Sequence, residues 1–204
     1  MSLRASRRVV LFLAAGAATA FAAGALSMPA LAAGDPKELI QKTADEVIQI
    51  IKTTKGVERE AAIEKILLTA FDMSYMGRAA LGTHWEGTPE AERQRYLKAA
   101  VASEAHAYSE RFGQYGGQTL SIGKVTPRPN GVSVVDSKLN QADGPPITMQ
   151  WEVRDTGQGA RITDVKIEGV SMVMTRRSDF NSYIQGHGGK VEPLIEELEK
   201  RAGK

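Results

Sequence analysis

The chain has 204 residues, 42% of them hydrophobic, a formal net charge of +2 and no cysteine. That length holds one core, or one core with a small subdomain, and a domain of this size does not need disulfides to stay folded. Without the three arginines of residues 1–33, the balance of 26 Lys and Arg to 24 Asp and Glu becomes 23 to 24. The basicity therefore belongs to the leader, and no Lys/Arg stripe points to nucleic acid as a partner.

Residues 1–33 are unlike the rest. Arg4, Arg7 and Arg8 precede an apolar, Ala-rich run from Val9 to Ala25, and Met28-Pro29-Ala30-Leu31-Ala32-Ala33 ends in small residues of the A-x-A type. This order predicts a cleavable secretory signal peptide. A retained anchor is the competing reading, because the run is about as long as a short spanning helix. Ser6-Arg7-Arg8-Val9-Val10-Leu11 resembles a twin-arginine signal, and an ordinary Sec-type basic start fits equally well. No later stretch is long and apolar enough to span a bilayer. The expected product is a soluble domain from residue 34 to 204, periplasmic in a Gram-negative cell.

Asp35-Pro36 supplies an N-cap acid and a proline at the first helical position. Ile40, Ala44, Val47, Ile48 and Ile51 then mark one stripe of an amphipathic helix. A second helix is predicted from Glu58 to Ala70. Asp72 caps a short third one carrying Met73, Met76 and Ala80, which ends near Gly82. Thr88-Pro89-Glu90 opens the longest, with Leu97, Val101, Ala105, Tyr108 and Phe112 on one side. After Gly113 the period changes to two. Leu120 and Ile122 begin a strand, Asn130-Gly131 is a hairpin turn, and Val132 starts the next strand. Ile147, Met149, Trp151 and Val153 alternate with Thr148, Gln150, Glu152 and Arg154. A fourth strand runs from Ile162 to Gly169. Two helices close the chain, about Ser171 to Gln185 and Val191 to Lys200, separated by Gly186-His187-Gly188-Gly189. Helices over about 35–113, a four-stranded antiparallel meander over about 118–169 and helices over about 171–201 make an α+β fold.

Catalytic signatures are absent from this pattern. His84, His106 and His187 lack metal-ligand spacing. There is no nucleophile elbow, P-loop or dinucleotide fingerprint, so neither catalytic residues nor metal ligands are assigned and no cofactor is expected. Most acids lie beside Lys or Arg on solvated helix faces; Asp136 and Asp164 remain candidates for buried acids. What stands out is Met73, Met76, Met149, Met172 and Met174, five of the seven methionines, placed where helices meet strands. Unbranched thioethers adapt to a variable apolar guest, although they also serve as plain core filler. Tyr75, Tyr108, Tyr115 and Trp151 add amphipathic rings suited to a cavity mouth.

Glu168-Gly169-Val170-Ser171-Met172-Val173, followed by Phe180, resembles the E-G-[VI]-S-[ML]-[VI] segment of the MlaC family of periplasmic phospholipid carriers, also called toluene-tolerance proteins. Phe71-Asp72, Tyr75-Met76 and Ala80-Leu81-Gly82 are similar to that family's F-D, Y-M and L-G block. Thr88-Pro89-Glu90 to Tyr96-Leu97, Tyr115-Gly116-Gly117-Gln118-Thr119 and Gln150-Trp151 are similar to further family segments in the same order. The resemblance spans about Asp35 to Leu198. It implies a curved antiparallel sheet of the nuclear transport factor-like kind, enclosed by helices around an apolar pocket for acyl chains, with the headgroup near solvent. It also implies a monomeric carrier working between an inner-membrane ABC transporter with its MCE-domain ring and an outer-membrane lipoprotein–porin complex. A related branch is associated with hopanoids.

On this reading the pocket is lined by Met149, Trp151, Val153, Val165 and Ile167 from the sheet. Met76, Leu81, Val101, Tyr108 and Phe112 face them from the helices, and Val170, Met172 and Met174 complete the last sheet–helix junction. Arg176 and Arg177 are expected on the solvent side of the final strand-to-helix segment. The competing functional readings are a pocket enzyme, an isomerase or hydrolase acting on an apolar substrate, and a solid-cored assembly factor that carries no cargo.

Overall fold

The computed structural model describes residues 34–113 and 115–203, so the expected signal peptide lies outside the described residues. Four helices come first: α1 (Pro36–Thr53), α2 (Gly56–Ala70), α3 (Met73–Leu81) and α4 (Glu90–Phe112). The strands β1 (Thr119–Arg128), β2 (Val132–Asn140), β3 (Ile147–Asp155), β4 (Ala160–Ile167) and β5 (Val170–Ser171) follow, then α5 (Met172–Gly186) and α6 (Glu192–Arg201). The α+β class and the order of elements agree with the sequence pattern.

The local causes are visible at each boundary. The Asp35 carboxylate accepts from the Lys37 N–H ahead of α1, Asp72 from Tyr75 ahead of α3, and Ser171 from Met174 ahead of α5, each satisfying one of the free N–H groups of a first turn. Pro129, Asn130 and Gly131 form the three-residue turn from β1 to β2, with Asn130 and Gly131 both at positive φ, the left-handed region that Asn and Gly tolerate best.

The strands form one antiparallel sheet in the order β1-β2-β3-β4-β5. The expected four strands are thus five. Glu168 (φ 50°) and Gly169 (φ 82°) make a second tight turn, after which Val170 pairs with Ile167 and Ser171 with Lys166. The other end of the same β4 edge is covered by Phe71, which bridges to Ile162, and by the Asp72 N–H, which donates to the Ile162 carbonyl at 2.9 Å.

Two cores flank the sheet and the helices. Ile40 of α1 and Ile66 and Ala70 of α2 close on Val135, Val153 and Ile162 of the sheet. Leu81, Tyr96, Phe180, Ile184, Leu194 and Ile195 form a second, purely helical core among α3, α4, α5 and α6. There α3 and α4 approach so closely that a Cβ on Gly77 would lie 2.4 Å from Leu97 Cδ2, and the Tyr96 hydroxyl donates to the Gly77 carbonyl at 3.0 Å. Between the two cores, Ile63 and Leu67 of α2 pack on Val101 and Ala105 of α4.

Arg59 is buried at 8% exposure with no carboxylate bonded to it among the described residues. Its guanidinium instead donates to the Thr54 carbonyl (2.7 and 3.1 Å) and the Ile51 carbonyl (3.2 Å) at the end of α1. Carbonyls at a helix C-terminus carry partial negative charge and lack intrahelical partners, so a cation is stable there. Arg59→Met should lower stability by about 2 kcal/mol, the usual scale for hydrogen bonds to a charged group. Urea denaturation measures the loss; an unchanged midpoint would mean water replaces the guanidinium freely.

Candidate functional site: a half-closed apolar face

The strand register arranges the inner face of the sheet in rows. Ser133, Val153 and Ile162 make one row; Val125, Val135, Trp151 and Val165 the next; Ile122, Ser137, Met149, Ile167 and Val170 the third; Leu120, Leu139 and Ile147 the fourth. Met149, Trp151, Val153, Val165 and Ile167 therefore share a face, as period-two alternation requires.

Closure of that face is graded. Val135, Val153 and Ile162 are at most 1% exposed. In the third and fourth rows, Ile122, Met149, Ile167, Leu120, Leu139 and Ile147 are only half-buried, and Val170 at the edge is 56% exposed. Trp151 marks the transition. Its indole N–H donates to Ser137 Oγ at 2.8 Å, and Ser137 is itself buried. That bond ties off the ring's polar atom and leaves an apolar surface.

The helices show the same grading. Tyr96 of α4 and Phe180 of α5 meet edge to face with centroids 6.1 Å apart, inside the helical core. Further along α4, Tyr108 and Phe112 stack on each other at 5.7 Å yet stay half-buried. Met73 and Met76 of α3 and Met172, the first residue of α5, are half-buried too. Not every expected lining residue joins this surface. Val101 is fully buried behind Tyr108 and Phe112, and Leu81 belongs to the separate helical core. Met174 points to solvent at 56% exposure.

Polar groups link α4 and α5 beside Tyr108 and Met172. Arg176 of α5, expected on the solvent side, binds Glu104 of α4 through Nε (2.5 Å) and Nη2 (3.1 Å). Glu104 pushes the Arg176 guanidinium further up from an already high value. Burial pushes the Tyr108 phenol up from its ordinary value, and the Glu104 carboxylate adds to the rise, while Arg176 and Arg111 oppose it. The Arg111 guanidinium lies 5.8 Å from the Tyr108 ring centroid. Of the candidate buried acids, Asp164 accepts from the Val173 N–H at 3.2 Å and Asp136 from Gln150 at 2.8 Å, so both have structural roles. His84, His106 and His187 bond separately to Asn181, Glu60 and the Tyr183 carbonyl. No metal-binding group of acids and histidines occurs among the described residues. A separate concavity of about 380 Å³ beside α3 is lined by Tyr75, Arg78, Gly82, Trp85, Glu86 and Arg177.

The family model for the MlaC protein matches residues 41–200. The chain belongs to the MlaC family. Its fold is also that of a solved structure, a phospholipid-binding protein from Ralstonia solanacearum in complex with a phospholipid. That match has a TM-score of 0.73 and 19% identity, and covers 83% of this chain and 97% of the other. Within the MlaC-family fold, the half-closed face is what remains after the two cores are sealed.

The shifted phenols set an alkaline limit on this MlaC-family domain. Tyr96 and Tyr108 both ionise above the ordinary value when folded. The unfolded chain therefore loses its protons first. Stability from this source is complete below about pH 10 and falls as pH rises beyond it. Tyr108→Phe should make the fall between about pH 10 and 12 shallower in urea titrations at stepped pH; an identical slope would show that the Tyr108 phenol is solvated.

Proposed function

We propose that this protein is a periplasmic phospholipid carrier. The observation that carries the reading is an apolar sheet face sealed at one end and half-closed at the other, in a chain of the MlaC family. In the proposal, residues 1–33 are a cleavable leader and 34–204 the lipid-binding domain. Acyl chains lie along Met149, Trp151, Val165 and Ile167, with Met76, Tyr108, Phe112 and Met172 on the helical side. Each methylene withdrawn from water contributes about 0.8 kcal/mol, so a carrier needs apolar, deformable walls. The half-buried methionines at positions 73, 76, 149 and 172 have that character. The phospholipid bound by the Ralstonia solanacearum protein, on the same fold, supports this cargo class over a hopanoid.

The carrier moves glycerophospholipid between an inner-membrane ABC transporter with its MCE-domain ring and an outer-membrane lipoprotein–porin complex. In this way it maintains outer-membrane lipid asymmetry. Its role is transport rather than catalysis. Asp136 and Asp164 are engaged in structural hydrogen bonds, which weighs against the pocket enzyme. The open third and fourth rows weigh against a solid-cored assembly factor.

Purified mature protein, extracted with organic solvent and read by mass spectrometry, should yield stoichiometric, intact phospholipid. Protein that stays empty after exposure to phospholipid vesicles sinks the proposal, and turnover of the lipid would restore the enzyme. Met149→Asp should fold, because the site is half-open, yet lose at least ten-fold in lipid retention, since a carboxylate would stand among acyl chains. Parental lipid content in folded Met149→Asp would place the cargo elsewhere.

A further inference from the structure

Resting on the carrier reading, we infer that Arg176, with Arg111 and the Tyr108 hydroxyl beside it, holds the phosphate of the cargo, and that Glu104 occupies this place in the empty protein. Helical spacing sets the geometry. Glu104 and Tyr108 are four apart on α4, and Met172 and Arg176 are four apart on α5, so each pair shares a face. The Glu104–Arg176 bond joins those two faces. It lies between the sealed Tyr96–Phe180 contact and the half-buried Tyr108 and Met172. The pair therefore stands where the apolar surface begins, one helical turn of about 5.4 Å from Met172. A glycerol backbone spans a similar distance between a lipid's phosphate and its first acyl carbons.

The chemistry of the rim suits an oxyanion. Arg176 presents its fork side-on, with Nε and Nη2 on the two oxygens of Glu104, an arrangement that a phosphodiester's two free oxygens reproduce. Asp179 is 3.6 Å from Nη1 and exposed. Arg111 has no carboxylate partner among the described residues, only the Tyr108 ring beneath it. The Tyr108 hydroxyl likewise has no hydrogen-bond partner among the described residues. Exchanging one oxyanion for another keeps Arg176 paired throughout. Cargo can thus enter or leave without stranding the half-buried Arg176; the cost falls on the displaced Glu104 carboxylate, which is why neutralising it should favour phospholipid. Arg177, the next residue, is no substitute, because it lies over Gly82 on the α3 groove.

The test compares two lipids with the same chains. Delipidated full mature protein is exposed to vesicles containing dioleoylphosphatidylglycerol or dioleoylglycerol, and retained lipid is quantified. The parent should favour the phospholipid by about ten-fold or more. Arg176→Met should cut that ratio about ten-fold. Arg176→Lys, which keeps the charge and a partner for Glu104 but loses the fork, should cut it less. Glu104→Gln should raise phospholipid retention and leave the diacylglycerol unchanged. The double variant Glu104→Gln/Arg176→Met, which leaves no orphan charge, should fold and show the low ratio. Equal loss of both lipids in Arg176→Met, or an unchanged ratio in the folded double variant, overturns the inference. Inorganic phosphate binding at Arg176 as tightly as lipid would make this a free-anion site and overturns it as well. A parent that retains neither lipid defeats the carrier reading itself.

Discussion

The inner face of the sheet has four rows of side chains, and the helices seal only one end of it. Ile40, Ile66 and Ala70 close on Val135, Val153 and Ile162, and removing this apolar area from water stabilises the fold by about 25 cal/mol per Å². Ile122, Met149, Ile167 and Ile147 are left half-buried, so the chain's own packing does not realise part of that stabilisation. A ligand that covers them supplies it. Binding to the folded state alone then raises stability by mass action. The fold thus divides into a sealed end that holds the domain together and an open end whose apolar surface is available for binding.

An open apolar surface works only if the polar atoms around it already have partners, because an unpaired buried donor or acceptor costs about 1–3 kcal/mol. The sheet meets this requirement through the Trp151–Ser137 bond. At the start of α5, Asp164 accepts from the Val173 N–H and Ser171 from the Met174 N–H, satisfying two donors of the first turn beside the apolar third row. Arg59 performs the corresponding task at the far end of α1, where carbonyls rather than N–H groups need partners.

How much of this was legible in the sequence follows from the range of each signal. The alternation from Ile147 to Val153 is local, so it identified the inner face of β3. Asn130-Gly131 identified the hairpin for the same reason. The fifth strand is invisible to periodicity because two residues show no period; its trace in the sequence is Glu168-Gly169, where both residues take positive φ. Leu81 belongs to the helical core and not to the pocket: a helical stripe marks a buried face without saying whether a sheet or other helices cover it, and here the cover is α4, α5 and α6. Val170, in the two-residue edge strand β5, and Met174, in the first turn of α5, are apolar yet exposed, and an apolar residue type alone does not say which side of an element it takes. Arg176 carries no sign of burial in the sequence because its partner Glu104 lies 72 residues earlier, and such a pairing leaves no mark in a local window.

The two ends of α5 are held by different forces. Phe180 and Ile184 are set in the helical core with Tyr96, Leu194 and Ile195, so moving that half would expose large apolar side chains at several kcal/mol. The first turn buries one small apolar side chain, Val173, and is otherwise held by the Ser171 cap and the Asp164 acceptor, with the Arg176–Glu104 pair just beyond it. Polar contacts of this kind contribute about 0.5–1.5 kcal/mol each, more where charged, because water competes for both partners. Loosening the first turn is therefore much cheaper than displacing the helix. The end held mainly by polar contacts is also the end nearest the half-closed rows, since β5 passes directly from Val170, beside Ile167, into Met172.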